Sequence, residues 1–174
     1  NQEETMHKAI LLEDICKRNI KGDFEVPQET RSGKAKKTDK AEKLLSTVKE
    51  KFPYAALVQT PAVLVCANKG IPIYAQVDDM AQVIGRKIPV VSDNEAVHAL
   101  ERLNAVLVPG FGAFVRSASD DDTKALELLA DKAAVCSIHT ATWGVKARIG
   151  LIDTVLMRFI YEKKYSKQKD KSSD

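Results

Sequence analysis

The chain reads as an α/β domain, and three stretches carry that reading. Ala55–Gly70 (AALVQTPAVLVCANKG) runs a short apolar strand straight into an apolar helix. Ala105–Val115 (AVLVPGFGAFV) sets two apolar runs on either side of Pro109-Gly110-Phe111-Gly112, the pattern of a β-hairpin. Ser119, followed by Asp120, Asp121 and Asp122, opens a helix with an N-cap and with acids that complement its dipole. A strand feeding directly into a helix puts the turn residues at the carboxyl end of a sheet, where α/β proteins usually build their sites. Gln59, Thr60 and Pro61 are therefore the first candidates for chemistry.

Residues 1–37 carry no clear element. Lys8–Ile15 (KAILLEDI) is a short apolar run that fits a strand or the start of a helix. Gly22-Asp23 and Pro27 follow, and then the basic run Arg31–Lys43. The first half of that run is polar and holds Gly33, so it reads as an exposed loop; a polyanion contact is the functional alternative. Thr38-Asp39 begins a helix to about Lys51, with Leu44, Leu45 and Val48 as its stripe and Phe52-Pro53-Tyr54 as its end. Ala55–Val58 is a strand. Thr60 suits the N-cap of the next helix, Pro61 its first position and Gly70 its stop. Ile71–Val77 reads as a strand, Asp78–Gly85 as a short turn or helix, and Ile88–Val91 as another strand.

Ser92 with Glu95 makes a capping box for a helix carrying Ala96, Val97, Leu100 and Leu103 on one side. After the hairpin, the long helix from Ser119 runs to Gly144 or Gly150. Its apolar face is Leu126, Leu129, Ala130, Ala133, Ala134 and Ile138, and it should lie across the sheet. Asp153–Lys164 is a final helix with Val155, Leu156, Phe159 and Ile160 as its apolar side. Residues 166–174 form a polar tail.

Composition excludes several classes. At 174 residues the chain suits one domain with a real core, and 44% hydrophobic with 29% charged residues is ordinary for a globular protein. A net charge of +3, with much of the excess in two local runs, does not argue for nucleic acid. No apolar run reaches the roughly 18–20 residues that span a bilayer. The acidic, polar start NQEET is no signal peptide, so a cytoplasmic location is expected. Cys16, Cys66 and Cys136 are too widely spaced for a zinc finger and read as reduced thiols.

His7, His98 and His139 form no HxH or HxxxH pair, and His98 falls on the polar side of its helix. Asp78-Asp79 could bind a cation, but a solvated turn is the commoner meaning of such a pair. No GxGxxG, GxxxxGK[ST] or GxSxG occurs, and no nucleophile has an adjacent base. From the residues alone this is an α/β domain without a visible active site.

The order of elements from Ala55 to Val115 nevertheless resembles one family. FPYAALVQTPAVLVCANKGIPIYAQVDDMAQVIGRKIPVV, then SDNEAVHALERLNAVLVPGFGAFV, follows the class II aldolase family. That family takes in fuculose-phosphate-type aldolases, ribulose-phosphate 4-epimerases and the adducin head domain. Its pattern has a strand running into a histidine-threonine-histidine-serine turn, an apolar helix, an "lPl" strand, an acidic segment ending in IP, a capped helix, and a strand ending in Asn-His-Gly. IPIYAQVDDMAQVIGRKIP is the closest piece, and the likeness covers about residues 38–165.

The resemblance implies a central, mainly antiparallel sheet flanked by helices on both faces. It also implies a zinc site, but the ligands do not carry over. The two histidines of the first turn match Gln59 and Pro61, with Thr60 between them. The third matches Phe111, before Gly112. The family's catalytic acid would fall near Lys40 or Ala41, flanked by Asp39 and Glu42, and its Gly-Asn and Ser-Ser-Gly phosphate loops are not found in residues 1–37. Zinc polarises the substrate carbonyl in that family, which needs imidazole or comparable ligands. Proline and phenylalanine offer no ligand atom, and a glutamine amide is a poor one.

The expectation is therefore a non-catalytic aldolase-like protein that binds no zinc and serves as a binding or assembly subunit. It would be a closed homo-oligomer, with a small sugar-phosphate-like ligand and with neither membrane nor nucleic acid as a partner. The alternative is a sugar-phosphate aldolase or epimerase with an atypical site, drawing on Gln59, Thr60, Asp78, Asp79, Tyr161 and Tyr165. A third reading is a basic adaptor that uses Arg31–Lys43 and Lys163–Lys171.

Overall fold

The computed structural model describes residues 31–171 apart from Lys146, and the side chains of 39–161 and Lys163. His7, Cys16, the Lys8–Ile15 run, Gly22-Asp23 and Pro27 lie outside those residues, as does the side chain of Tyr165. The elements run α1 (Arg31–Lys51), β1 (Ala56–Val58), α2 (Pro61–Asn68), β2 (Ile73–Tyr74), α3 (Asp78–Val83), β3 (Lys87–Ile88), a 3₁₀ turn (Asp93–Glu95), α4 (Ala96–Leu100), β4 (Ala105–Val108), β5 (Gly112–Val115), α5 (Asp120–Thr142) and α6 (Leu151–Lys171). The architecture is α/β with antiparallel pairing in both sheets.

The hairpin is the centre of the fold. β5 pairs antiparallel with β4 on one side and with β1 on the other, giving the order β1-β5-β4. Every residue of β4 and β5 is buried, so neither strand shows the half-polar alternation of a sheet with a wet face. Beside β4, residues 89–91 run parallel: Leu107 N–H donates to Pro89 O at 2.8 Å, and Val91 N–H to Leu107 O at 2.9 Å. β2 and β3 form a separate two-stranded antiparallel sheet.

Successive strand side chains go to different core clusters. Leu107, Ala113 and Val115 join Val63 and Cys66 of α2, Ala130, Ala133 and Ala134 of α5, and Ile73, Met80 and Ile88. Val106, Val108 and Phe114 join Ala41 and Val48 of α1 and Ala96 and Leu100 of α4. The helix ends are built as their residues dictate. Gly70, at φ 64°, closes α2 with Gly70 N–H to Ala67 O and Ile71 N–H to Cys66 O, the paired bonds of a Schellman stop. Ser119 Oγ accepts from Asp122 N–H at 3.2 Å, and the hydroxyl of Thr123 ties α5 to Tyr54 O. Glu95 Oε2 takes both Ser92 N–H (3.2 Å) and Ser92 Oγ (2.7 Å).

Several expectations are corrected. Residues 31–37 are helical, not a loop: Gly33 costs only about 1 kcal/mol in a helix, and the Ala and Lys residues around it are good helix formers. The strand expected over Ile71–Val77 pairs only at Ile73–Tyr74, plus one bond from Ala75 N–H to Arg86 O, because Pro72 has no N–H to give. The strand expected over Ile88–Val91 divides, its start pairing with β2 and its end lying beside β4. The helix expected from Ser92 to Leu103 opens as a 3₁₀ turn and is α-helical only over Ala96–Leu100.

The last helix runs on to Lys171, through most of the expected polar tail, and its apolar side faces outward. Thr154 is buried, Met157 packs on the core, and Arg158 Nη1 donates to Ile84 O at 3.1 Å. Leu151, Ile152, Val155, Leu156, Phe159 and Ile160 are 53–81% exposed. A periodic stripe shows that a helix has an apolar face; it does not show that the same chain covers it.

Candidate functional site

Thr60 and Pro61 start α2 as expected. The Thr60 hydroxyl accepts from Val63 N–H at 3.4 Å, while Pro61 occupies the first turn, where its missing N–H leaves nothing unpaired. This turn meets the tip of the hairpin. Gln59 Nε2 donates to Phe111 O at 2.9 Å, so the structure brings together the two turns that the sequence resemblance singled out. On the same tip, Asn68 Oδ1 at the end of α2 accepts from Gly110 N–H at 2.7 Å.

Little at this junction is left for chemistry. The Gln59 amide nitrogen is engaged by backbone, Pro61 has no donor atom, and the Phe111 ring is buried in the cluster with Val48 and Leu100. Gly112 has φ +124°, and a Cβ there would lie 2.3 Å from Val58 O, so β1 and the hairpin approach too closely for any side chain. Among the described residues no group of three His, Cys, Asp or Glu side chains could hold a metal ion.

Asp39 and Glu42, the acids weighed on the sequence resemblance, are exposed on α1, while Ala41 between them is buried. His98 is exposed, 3.0 Å from Glu101, and His139 is exposed on α5. Sequence reasoning missed Asp131, which accepts the Thr60 hydroxyl's hydrogen bond. The available signal was a carboxylate directly beside the apolar face of α5, next to Ala130.

The acidic pair serves the fold. Asp78 and Asp79 occupy the first turn of α3, and Asp79 Oδ2 lies 2.8 Å from Lys132 Nζ. The Lys132 hydrogen bond holds the Asp79 carboxyl below its ordinary pKa, and Asp79 holds the Lys132 ammonium above its own. Both side chains are about half exposed, so solvent screens the pair and its contribution to stability is small. A carboxyl with a lowered folded-state pKa stabilises above its unfolded value, about 3.9, and loses that contribution as pH falls through the folded value. The lysine's part is present below about 10.4 and is lost as pH rises through its folded value. Lys132→Ala should therefore lower the urea midpoint slightly at pH 7, by an amount that shrinks as pH falls below about 3.9; an effect that does not change with pH would contradict the pairing.

Buried Cys66 has its thiol pKa raised by burial, which keeps it an inert S–H near Ala134 O. No described helix is long and apolar enough to cross a membrane.

No protein-family model and no curated protein matches the sequence. Among solved structures the chain is similar to an L-fuculose 1-phosphate aldolase, with a TM-score of 0.57 and 17% identity over 62% of this chain. The chain spans little more than half of that neighbour, 55% of its length. At this identity the likeness shows the fold alone, which is that of a class II aldolase.

Proposed function

We propose that the chain is a non-catalytic protein of the class II aldolase fold, serving as a binding or assembly subunit. The observation that carries this is the Gln59–Phe111 hydrogen bond, which turns the junction of the two turns into a clasp. Zinc, which the fold family implies, does not fit here: one amide oxygen, a poor zinc ligand, with one proline and one buried ring supplies no ligand set. The two core clusters support helices on both faces of the sheet, the layering such a scaffold uses.

The assembly half rests on α6, whose apolar residues at 151, 152, 155, 156, 159 and 160 make two adjacent i, i+4 rows, the surface that packs against another helix. A second copy of the chain is the occupant this reading names, in a closed homo-oligomer. A small sugar-phosphate-like ligand and a cytoplasmic setting belong to the same reading. An aldolase or epimerase with an atypical site has one specific support, the Thr60 hydroxyl against the Asp131 carboxylate at the first turn. That hydroxyl also caps α2, so the catalytic reading stands second.

Protein equilibrated with zinc and then desalted should hold far less than stoichiometric metal by elemental analysis, and should scatter light as an oligomer. Stoichiometric zinc that is lost in Gln59→Ala would overturn the non-catalytic half. A monomer at all concentrations would overturn the assembly half.

A further inference from the structure

A second site lies away from the clasp, where β2 meets the last turns of α5. A cavity of about 330 Å³ opens there, walled by Tyr74, Gln76, Ser137, Thr140, Val145 and Arg148. That is the lower end of the size range for small-molecule sites. The Arg148 guanidinium sits 3.7 Å over the centre of the Tyr74 ring. Stacking of this kind fixes the plane of the group while leaving its N–H edges available. Among the described residues Arg148 has no hydrogen bond and no ion pair, so an oriented, fully charged fork at the cavity wall meets no anion among them.

The backbone around it is tied down. Ile149 N–H donates to Ala75 O at 2.9 Å, which pins the Arg148 segment to the end of β2. Gly144 N–H to Ala141 O and Val145 N–H to Thr140 O close the end of α5. Gln76 Nε2 bridges to Thr140 Oγ1 (3.1 Å) and Ser137 Oγ (3.4 Å), so one wall is a connected row of an amide and two hydroxyls.

From this arrangement we infer that the cavity is a binding site for a small hydroxylated organic anion. Its carboxylate or phosphate oxygens take the Arg148 fork, and its hydroxyls lie against Gln76, Ser137 and Thr140. A planar guanidinium suits a two-oxygen head group, and two parallel charge-assisted bonds are the strong form of that contact. The C-terminal end of α5 carries partial negative charge and opposes an anion. Its carbonyls at Thr140 and Ala141 are taken by the Val145 and Gly144 N–H groups, and a full guanidinium charge exceeds the half-charge of a helix end. The site uses neither Gln59 nor Phe111, so it stands or falls apart from the reading of the clasp.

Trp143, the single tryptophan of the chain, is exposed where α5 ends beside the cavity and serves as a local reporter. The full chain is titrated at constant ionic strength with inorganic phosphate in one arm and glycerate in the other. The readouts are the Trp143 indole and the backbone amide resonances of Gln76, Thr140 and Arg148. Saturable shifts in at least one arm are expected, and the arm that saturates at the lower concentration identifies the head group. Arg148→Ala should weaken binding about 10- to 100-fold, the worth of a bidentate charged contact. Arg148→Lys should recover only part of it, and both variants should keep the thermal midpoint of the parent. Linear, unsaturating shifts in both arms, or saturation unchanged in Arg148→Ala, would overturn the site.

Discussion

Gly112→Ala should cost at least about 3 kcal/mol, a large part of the stability of an ordinary domain. Gly112 sits at φ +124°, where a residue with a side chain is strained, and its added methyl would meet the Val58 carbonyl oxygen at 2.3 Å. The obstacle is backbone in a paired strand, Val58 being in register with Ala113, so it has no rotamer by which to move aside. Relief requires β1 and β5 to separate, which would break the sheet at its middle strand. Gly110, two residues earlier, is the control: it also has positive φ, at 83°, but a Cβ there meets nothing within 4 Å. Gly110→Ala should therefore lose only the conformational penalty, about 1–2 kcal/mol. Urea unfolding followed by circular dichroism gives both values. Equal losses would mean that the crossing at Val58 is not what requires the glycine.

The same pair of positions shows what the sequence made legible. Local chemistry reads well where one residue type answers one backbone need. Thr60-Pro61, Gly70 and Ser119 mark helix ends, and the structure puts caps and stops at those residues. The hairpin was visible because Pro109-Gly110-Phe111-Gly112 divides two runs that are apolar at every position. Partnership across the chain was less visible. Nothing local to the Val155–Ile160 stripe says that Thr154, Met157 and Arg158 face the core, since a helix can present its less apolar side to its own chain. Asp131 lies 71 residues from Thr60 in the chain, and no spacing rule connects them. The helical course of 31–37 was obscured by Gly33, whose cost is smaller than the helix it interrupts. The candidate site was found by likeness to a family rather than by its own groups, because Gln59, Pro61 and Phe111 carry almost no chemistry to find.

Phe114→Ala should be the other severe substitution, costing about 3–5 kcal/mol by cavity creation. Phe114 is fully buried in the middle strand of the larger sheet, paired across to Leu57 on β1 and Val106 on β4. Its ring joins the cluster formed by Val48 of α1, Leu100 of α4 and Phe111 at the hairpin tip. The void would therefore open beneath two helices and the turn at once, with strand backbone on both sides resisting collapse. Phe114→Leu, which keeps most of the volume, should cost far less, on the order of 1.5 kcal/mol. A further consequence separates a packed clasp from an independent loop. Phe111 holds the turn from inside while Gln59 and Asn68 hold it from outside. If the ring of Phe111 depends on that of Phe114, Phe114→Ala should speed hydrogen exchange at the Phe111 and Gly110 amides by more than the loss in global stability requires. Exchange there that tracks only global unfolding would mean the tip is held by its hydrogen bonds alone.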